Sequence, residues 1–113
     1  MDSQRQQQIS KMLLRELAEI FRLEGKNHFG GALITVTKVK VTRDLSIARV
    51  YLSLFAVGGK KINIEDLRER SREIRYNLGT IIKNQVRHIP ELEFYVDDSL
   101  DYIEHIEDLL SDE

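Results

Sequence analysis

The sequence contains no cysteine and no tryptophan, one proline, and only four tyrosines and four phenylalanines in 113 residues. Without cysteine there are no disulfides, no thiolate nucleophile and no Cys-built metal cluster. No apolar run approaches the roughly 20 residues that cross a bilayer. Residues Met1 to Gln8 are polar and lack the apolar stretch of a secretory signal, so a cytoplasmic protein is expected. The three histidines, His28, His88 and His105, fall on separate segments, and there is neither an HExxH motif nor a helical His pair. His105 lies among carboxylates and reads as a solvated ion-pair partner. Gly30-Gly31 and Gly58-Gly59 extend to neither a phosphate-binding loop nor a dinucleotide fingerprint. Asp97 and Asp98 are adjacent and diverge, so they do not converge for acid–base work. No metal, no cofactor, no small-molecule substrate and no enzymatic activity are expected.

What the chain does have is an uneven charge distribution. The net charge of −2 conceals it. From Ile89 onward there are ten acidic residues and no Lys or Arg. The preceding 88 residues carry all 17 basic residues against the other nine acidic ones, a net of +8. A basic body with an acidic end raises nucleic-acid binding as a hypothesis, beside the plainer alternative of a solubilising terminal helix. The length is that of one domain over residues 1–113, with a core expected over about 5–97.

Ile9, Leu13, Leu17 and Ile20 recur at helical spacing and predict an amphipathic helix from about Gln6 to Glu24, closed by Gly25. Leu33 to Val41 is β-branched and reads as a strand. Its apolar alternation changes phase between Val36 and Val39, which predicts a bulge near Thr37. Thr42 to Leu45 forms a turn, and Ser46 to Phe55 returns as a second strand. There Ala48, Val50, Leu52 and Leu54 face inward, with Arg49, Tyr51 and Ser53 opposite. Ile64 to His88 is helical, with an apolar gap at Arg70-Ser71-Arg72 that predicts a kink, and Pro90 stops it. Glu91 to Asp97 is a third strand, with Leu92, Phe94 and Val96 on one face. Ser99 caps a last, acidic helix over 99–110. Three one-faced strands need helical cover, which predicts a two-layer α+β architecture.

The candidate RNA-binding residues follow from the positive charge. Lys60, Lys61, Arg68, Arg70, Arg72, Arg75, Lys83 and Arg87 crowd one stretch that holds only four acids. Arg68, Arg72 and Arg75 stand at i, i+4 and i+7, so on a continuous helix they share a face and can meet successive phosphates. The plainer alternative is a solvated face of intrahelical ion pairs with Glu65, Glu69 and Glu73. Arg43 and Arg49, with Lys38 and Lys40, extend the charge onto the hairpin, and Arg5, Lys11 and Arg15 onto the first helix. Tyr51 and Tyr95 would stack bases if the sheet face is open.

Specific stretches of the chain match a known pattern. Thr35-Val36-Thr37, Val39, Val41-Thr42-Arg43-Asp44-Leu45, Ala48 and Val50-Tyr51-Leu52-Ser53 are similar to the hairpin of the bacterial ribosome-binding factor A family. Ile74-Arg75, Leu78-Gly79, Arg87, Pro90-Glu91-Leu92, Phe94 and Asp98-Ser99-Leu100 follow in the family order, and the likeness spans about Arg5 to Leu110. The resemblance implies a KH-like fold of type II, helix-strand-strand-helix-(kink)-helix-strand. It implies the free small (30S) ribosomal subunit and its rRNA as partners, and a monomeric, cytoplasmic assembly factor. It also implies late 16S rRNA maturation, including 5′-end processing, and growth in the cold. A generic KH-like module for single-stranded RNA is the alternative, but such modules grip through a GxxG loop that this chain lacks. The family's Ala-x-Gly kink is replaced by Arg70-Ser71-Arg72, and its Asp-Pro-Arg by Asn27-His28-Phe29.

Overall fold

The computed structural model describes residues 3–55 and 62–97. Helix α1 runs over Gln4–His28. The Ser3 side chain accepts from the Gln6 backbone N–H, and the Gln6 side chain accepts from the Ser3 N–H, a reciprocal capping box that satisfies two of the helix's free donors. The other end of that amide donates to the Val41 carbonyl at 3.0 Å, which is why this glutamine is buried. Gly25 does not end the helix, as the sequence suggested. The helix passes through it, and the Ala32 carbonyl oxygen lies 2.1 Å from where a Cβ would stand. The glycine therefore serves close approach. The chain turns further on, at Gly30 and Gly31, whose φ angles of 63° and 85° suit residues without a Cβ.

Strands β1 (Leu33–Val41) and β2 (Ile47–Phe55) pair antiparallel, with a register shift between Val36 and Lys38. The bulge puts Ile34 and Val36 before it, and Val39 and Val41 after it, into the same buried layer. Ser53, on the face opposite Val50 and Leu52, is nevertheless buried, at 3% exposed. It is a small side chain on the central strand, opposite Thr35 of β1.

The predicted 64–88 helix divides into α2 (Ile64–Glu69) and α3 (Ser71–Ile82). Arg70, at φ −95° and ψ 7°, is the joint. Helix α3 also stops six residues before the expected end. Pro90 bars the helical conformation at Ile89, and Glu91 must donate to the Ser46 carbonyl at 2.8 Å to start the next strand. The chain therefore leaves the helix early and runs back as a loop. Val86, expected within the helix, and Ile89 pack on the core from that loop. Strand β3 (Glu91–Val96) pairs parallel with β2, giving the order β1-β2-β3. Phe94 is its buried anchor and meets Phe21 of α1 edge to face at 5.4 Å. Val96, expected inside, keeps 39% of its surface. The fold is α+β: α1, α2 and α3 line one face of the sheet around Leu13, Leu17, Phe21, Val50, Leu67, Ile74 and Leu78. The predicted helix over 99–110 lies outside the described residues, as do Lys60 and Lys61.

Candidate nucleic-acid interface

The break at Arg70 sends the predicted arginine row in different directions. Arg68 stands on α2, whereas Arg72 and Arg75 stand on α3, so the three do not form one continuous helical face. Arg68 donates through Nη2 to the Phe94 carbonyl at 2.8 Å and through Nη1 to Glu65. It thereby ties α2 to β3. Arg75 donates to the carbonyls of Ile89 at 2.6 Å and Pro90 at 3.0 Å, which holds the returning loop against α3. Arg70 turns inward and pairs with Glu24. Arg72 is exposed and has no hydrogen bond or ion pair among the described residues.

Four of the predicted cations come together in an open groove between α3 and the 87–92 segment. Arg72, Arg75, Lys83 and Arg87 line it, with His88 beside them and a cavity of about 820 Å³. Arg72, Lys83 and Arg87 have no partner among the described residues, so their charge is free to meet an anion. Glu91 is the one carboxylate in the lining. Gly79 and Thr80 also line it, and Thr80 adds a hydroxyl. A smaller cavity of about 370 Å³ adjoins the groove, sharing Arg75, Arg87 and His88 and adding Arg5 of α1. Arg5 also lines a shallow depression with Lys11 and Arg15. The positive surface thus continues from α3 across to α1.

Tyr76 was not among the residues singled out from the sequence. It projects from α3 into the groove with 72% of its surface exposed. The signal for it was present: Ile74, Leu78 and Ile82 define the buried stripe of α3, and Tyr76 lies off that stripe.

The open face of the sheet is arranged differently. Tyr51 and Tyr95 are opposite each other on β2 and β3 and stack together, with centroids 5.5 Å apart and planes at 29°. Lys38 stands 5.7 Å from the Tyr51 ring centroid. The Tyr95 hydroxyl donates to Glu93 at 2.8 Å, and this carboxylate holds the phenol above its ordinary pKa. Glu93 also accepts from Arg49 at 3.4 Å. The two tyrosines expected to stack bases are therefore each other's partners, and Arg49 is paired. Arg43 is exposed in the hairpin turn and does not line the α3 groove. Among the described residues no group of three His, Asp or Glu side chains is placed to hold a metal ion. No described helix is long and apolar enough to cross a membrane.

The family model described as Ribosome-binding factor A matches residues 5–110. The chain is 40% identical over 111 residues to ribosome-binding factor A of Cytophaga hutchinsonii, covering 98% of this chain and 84% of that one. It is 43% identical over 107 residues to ribosome-binding factor A of Prosthecochloris aestuarii, covering 92% and 84%. Among solved structures it is similar to the crystal structure of ribosome-binding factor A from Thermus thermophilus. That likeness has a TM-score of 0.62 and 28% identity over 80% of this chain and 94% of that one. It is also similar, at a TM-score of 0.60 and 27% identity, to a homology model of the Thermus thermophilus factor fitted into the cryo-EM map of its complex with 30S. That second match covers 79% of this chain and 91% of the other.

Proposed function

Because the chain belongs to the ribosome-binding factor A family, we propose that it binds the free 30S subunit and assists late 16S rRNA maturation, including processing of the 5′ end. The observation that carries this reading is the groove along α3. Arg72, Lys83 and Arg87 meet there without partners among the described residues. Arg75 shapes the wall from behind. Guanidinium and ammonium groups so placed neutralise rRNA phosphates and release counterions, which makes binding strongly salt-dependent.

The protein acts by occupancy. A factor that binds one rRNA conformation better than another shifts the population toward it by that difference in affinity. This requires no catalytic group, and on this reading the protein is a monomeric cytoplasmic binding factor, not an enzyme. The alternative of a free-standing KH-like module is weakened by the joint between α2 and α3. Arg70 occupies it with its side chain committed to Glu24, and there is no GxxG loop to admit a nucleic-acid backbone.

Sedimentation tests the reading. The full chain is run with purified 30S subunits, with 70S ribosomes and with ribosome-free lysate. Comigration with free 30S that weakens steeply as salt rises is expected. Absence from the 30S peak at low salt would overturn the proposal.

A further inference from the structure

We propose that the α3 groove takes an unpaired RNA nucleotide, with its base stacked on Tyr76 and its neighbouring phosphates on Arg72, Lys83 and Arg87. This deepens the reading above and rests on its assignment of the groove to rRNA.

Tyr76 has the greatest exposure of the large apolar side chains described, at 72%. It makes no hydrogen bond, ring contact or ion pair among the described residues. The other tyrosines described, Tyr51 and Tyr95, are stacked on each other and shielded in part. A free aromatic face at this exposure is a platform on which a flat group can stack. Its surroundings select the occupant's chemistry. Arg72 lies one turn before Tyr76 on the same side of the helix, and Thr80 one turn after. Lys83 lies at i+7 from Tyr76 and Arg87 on the segment beyond; all line the groove. From Arg72 to Lys83 the groove runs roughly 16 Å along the chain at helical rise. The occupant is therefore planar at its centre and anionic on both flanks, which is the description of a nucleotide within a strand.

The strand must be single at this point. A base inside a duplex hides both faces in its stack, and A-form duplex offers a protein mainly sugar and phosphate. An unpaired base exposes a face to any aromatic, whatever its identity, so the contact is tolerant of sequence. Gly79, also in the lining, adds no side chain of its own and lies against Ile89.

The test uses the full chain and a short single-stranded oligoribonucleotide carrying one 2-aminopurine, whose fluorescence falls when it stacks. Wild type is expected to bind and quench it. Tyr76→Ala is expected to weaken binding about tenfold and to lose the quenching, whereas Tyr76→Phe and Tyr76→Trp retain both. Because Tyr76 lies on the surface, all three variants are expected to melt within a few degrees of wild type, read by circular dichroism. In a duplex the probe is already stacked and dim, so affinity is compared there, and the duplex is expected to bind more weakly than the single strand. Equal affinity and quenching by Tyr76→Ala would overturn the proposal, as would equal affinity for the duplex. If wild type comigrates with 30S but ignores the oligonucleotide, the stacking site fails while subunit binding stands. If it does neither, the assignment of the groove to rRNA fails first.

Discussion

Arg70 holds the carboxylate of Glu24 with two donors, Nε to Oε2 at 2.5 Å and Nη2 to Oε1 at 3.1 Å. Glu24 lies near the end of α1 and is 5% exposed; Arg70 is the joint between α2 and α3. A carboxylate buried to this degree needs a fixed cation. The Glu24 side chain in turn raises the Arg70 pKa further, chiefly through the hydrogen bond. The pair locks the helix break against α1. It shows how a break forms at Arg-Ser-Arg, where the family pattern has Ala-x-Gly: the large side chain at the joint is drawn inward.

The first prediction concerns this pair. Arg70→Met leaves Glu24 buried without its cation and is expected to cost about 3 kcal/mol of stability. Replacing both partners, Arg70→Met with Glu24→Leu, removes the orphaned charge and is expected to recover much of that loss. Urea unfolding of the single and double variants reads the difference. A single variant as stable as the double would show that solvent already screens Glu24.

Gly25→Ala reverses an ordinary rule. Alanine in a helix interior normally stabilises by roughly 1 kcal/mol over glycine. At position 25 the new Cβ would stand 2.1 Å from the Ala32 carbonyl oxygen, a backbone atom that cannot swing aside. The substitution is expected to destabilise by about 2 kcal/mol or more, since the turn into β1 must shift. Gly79→Ala is the control: its Cβ would meet Ile89 at 3.4 Å, an ordinary contact, so the propensity gain is expected to survive. Thermal melts of the two variants should move in opposite directions.

The same two glycines mark how far the sequence could be read. Apolar spacing located every described element, because burial imposes its period wherever a strand or helix has one covered face. The phase change at Thr37 even located the bulge, since a strand cannot otherwise bury both Val36 and Val39. What spacing did not encode was contact between distant parts of the chain. Gly25 looked like a stop because the Ala32 carbonyl pressing on it is set by the fold. Arg68 and Arg75 looked like phosphate ligands because the carbonyls that claim them, at Phe94, Ile89 and Pro90, belong to a later strand and its approach. The groove itself needed the loop after Ile82 to fold back, and with it Tyr76 became a feature of a site.

The hairpin turn predicts a pH dependence. Asp44 accepts from the Ser46 hydroxyl at 2.7 Å, the Thr42 hydroxyl at 2.8 Å and the Ser46 N–H at 3.1 Å. These bonds, the Ser46 hydroxyl first, hold its carboxyl below the ordinary value of 3.8. A folded pKa lower than the unfolded one means stability that is present above the unfolded value and lost as pH falls through the folded one. The stability gap between wild type and Asp44→Ala should therefore be full at neutral pH and narrow as the solution is acidified below 3.8. An NMR titration of the Asp44 carboxyl with a midpoint at or above that of a free aspartate would contradict the reading.

Of the three arginines predicted to form one row, Arg68 and Arg75 hold the fold and Arg72 has no partner among the described residues. Arg72→Gln removes a charge with no partner among the described residues. It should leave stability within about 0.5 kcal/mol and lower the salt slope of 30S association by about 1. Arg68→Gln and Arg75→Gln remove charged donors from the carbonyls of Phe94, and of Ile89 and Pro90. Each should cost about 1.5 kcal/mol, toward the low end for charged hydrogen bonds because both side chains are only partly buried. For Arg68→Gln the salt slope should stay near that of wild type, since its guanidinium lies outside the α3 groove. Arg75→Gln should move both measurements, because the loop it anchors carries Arg87 and His88 into the groove. The three variants thus give three patterns: slope alone, stability alone, and both. Equal loss of slope from all three would restore the single arginine face that the break at Arg70 divides.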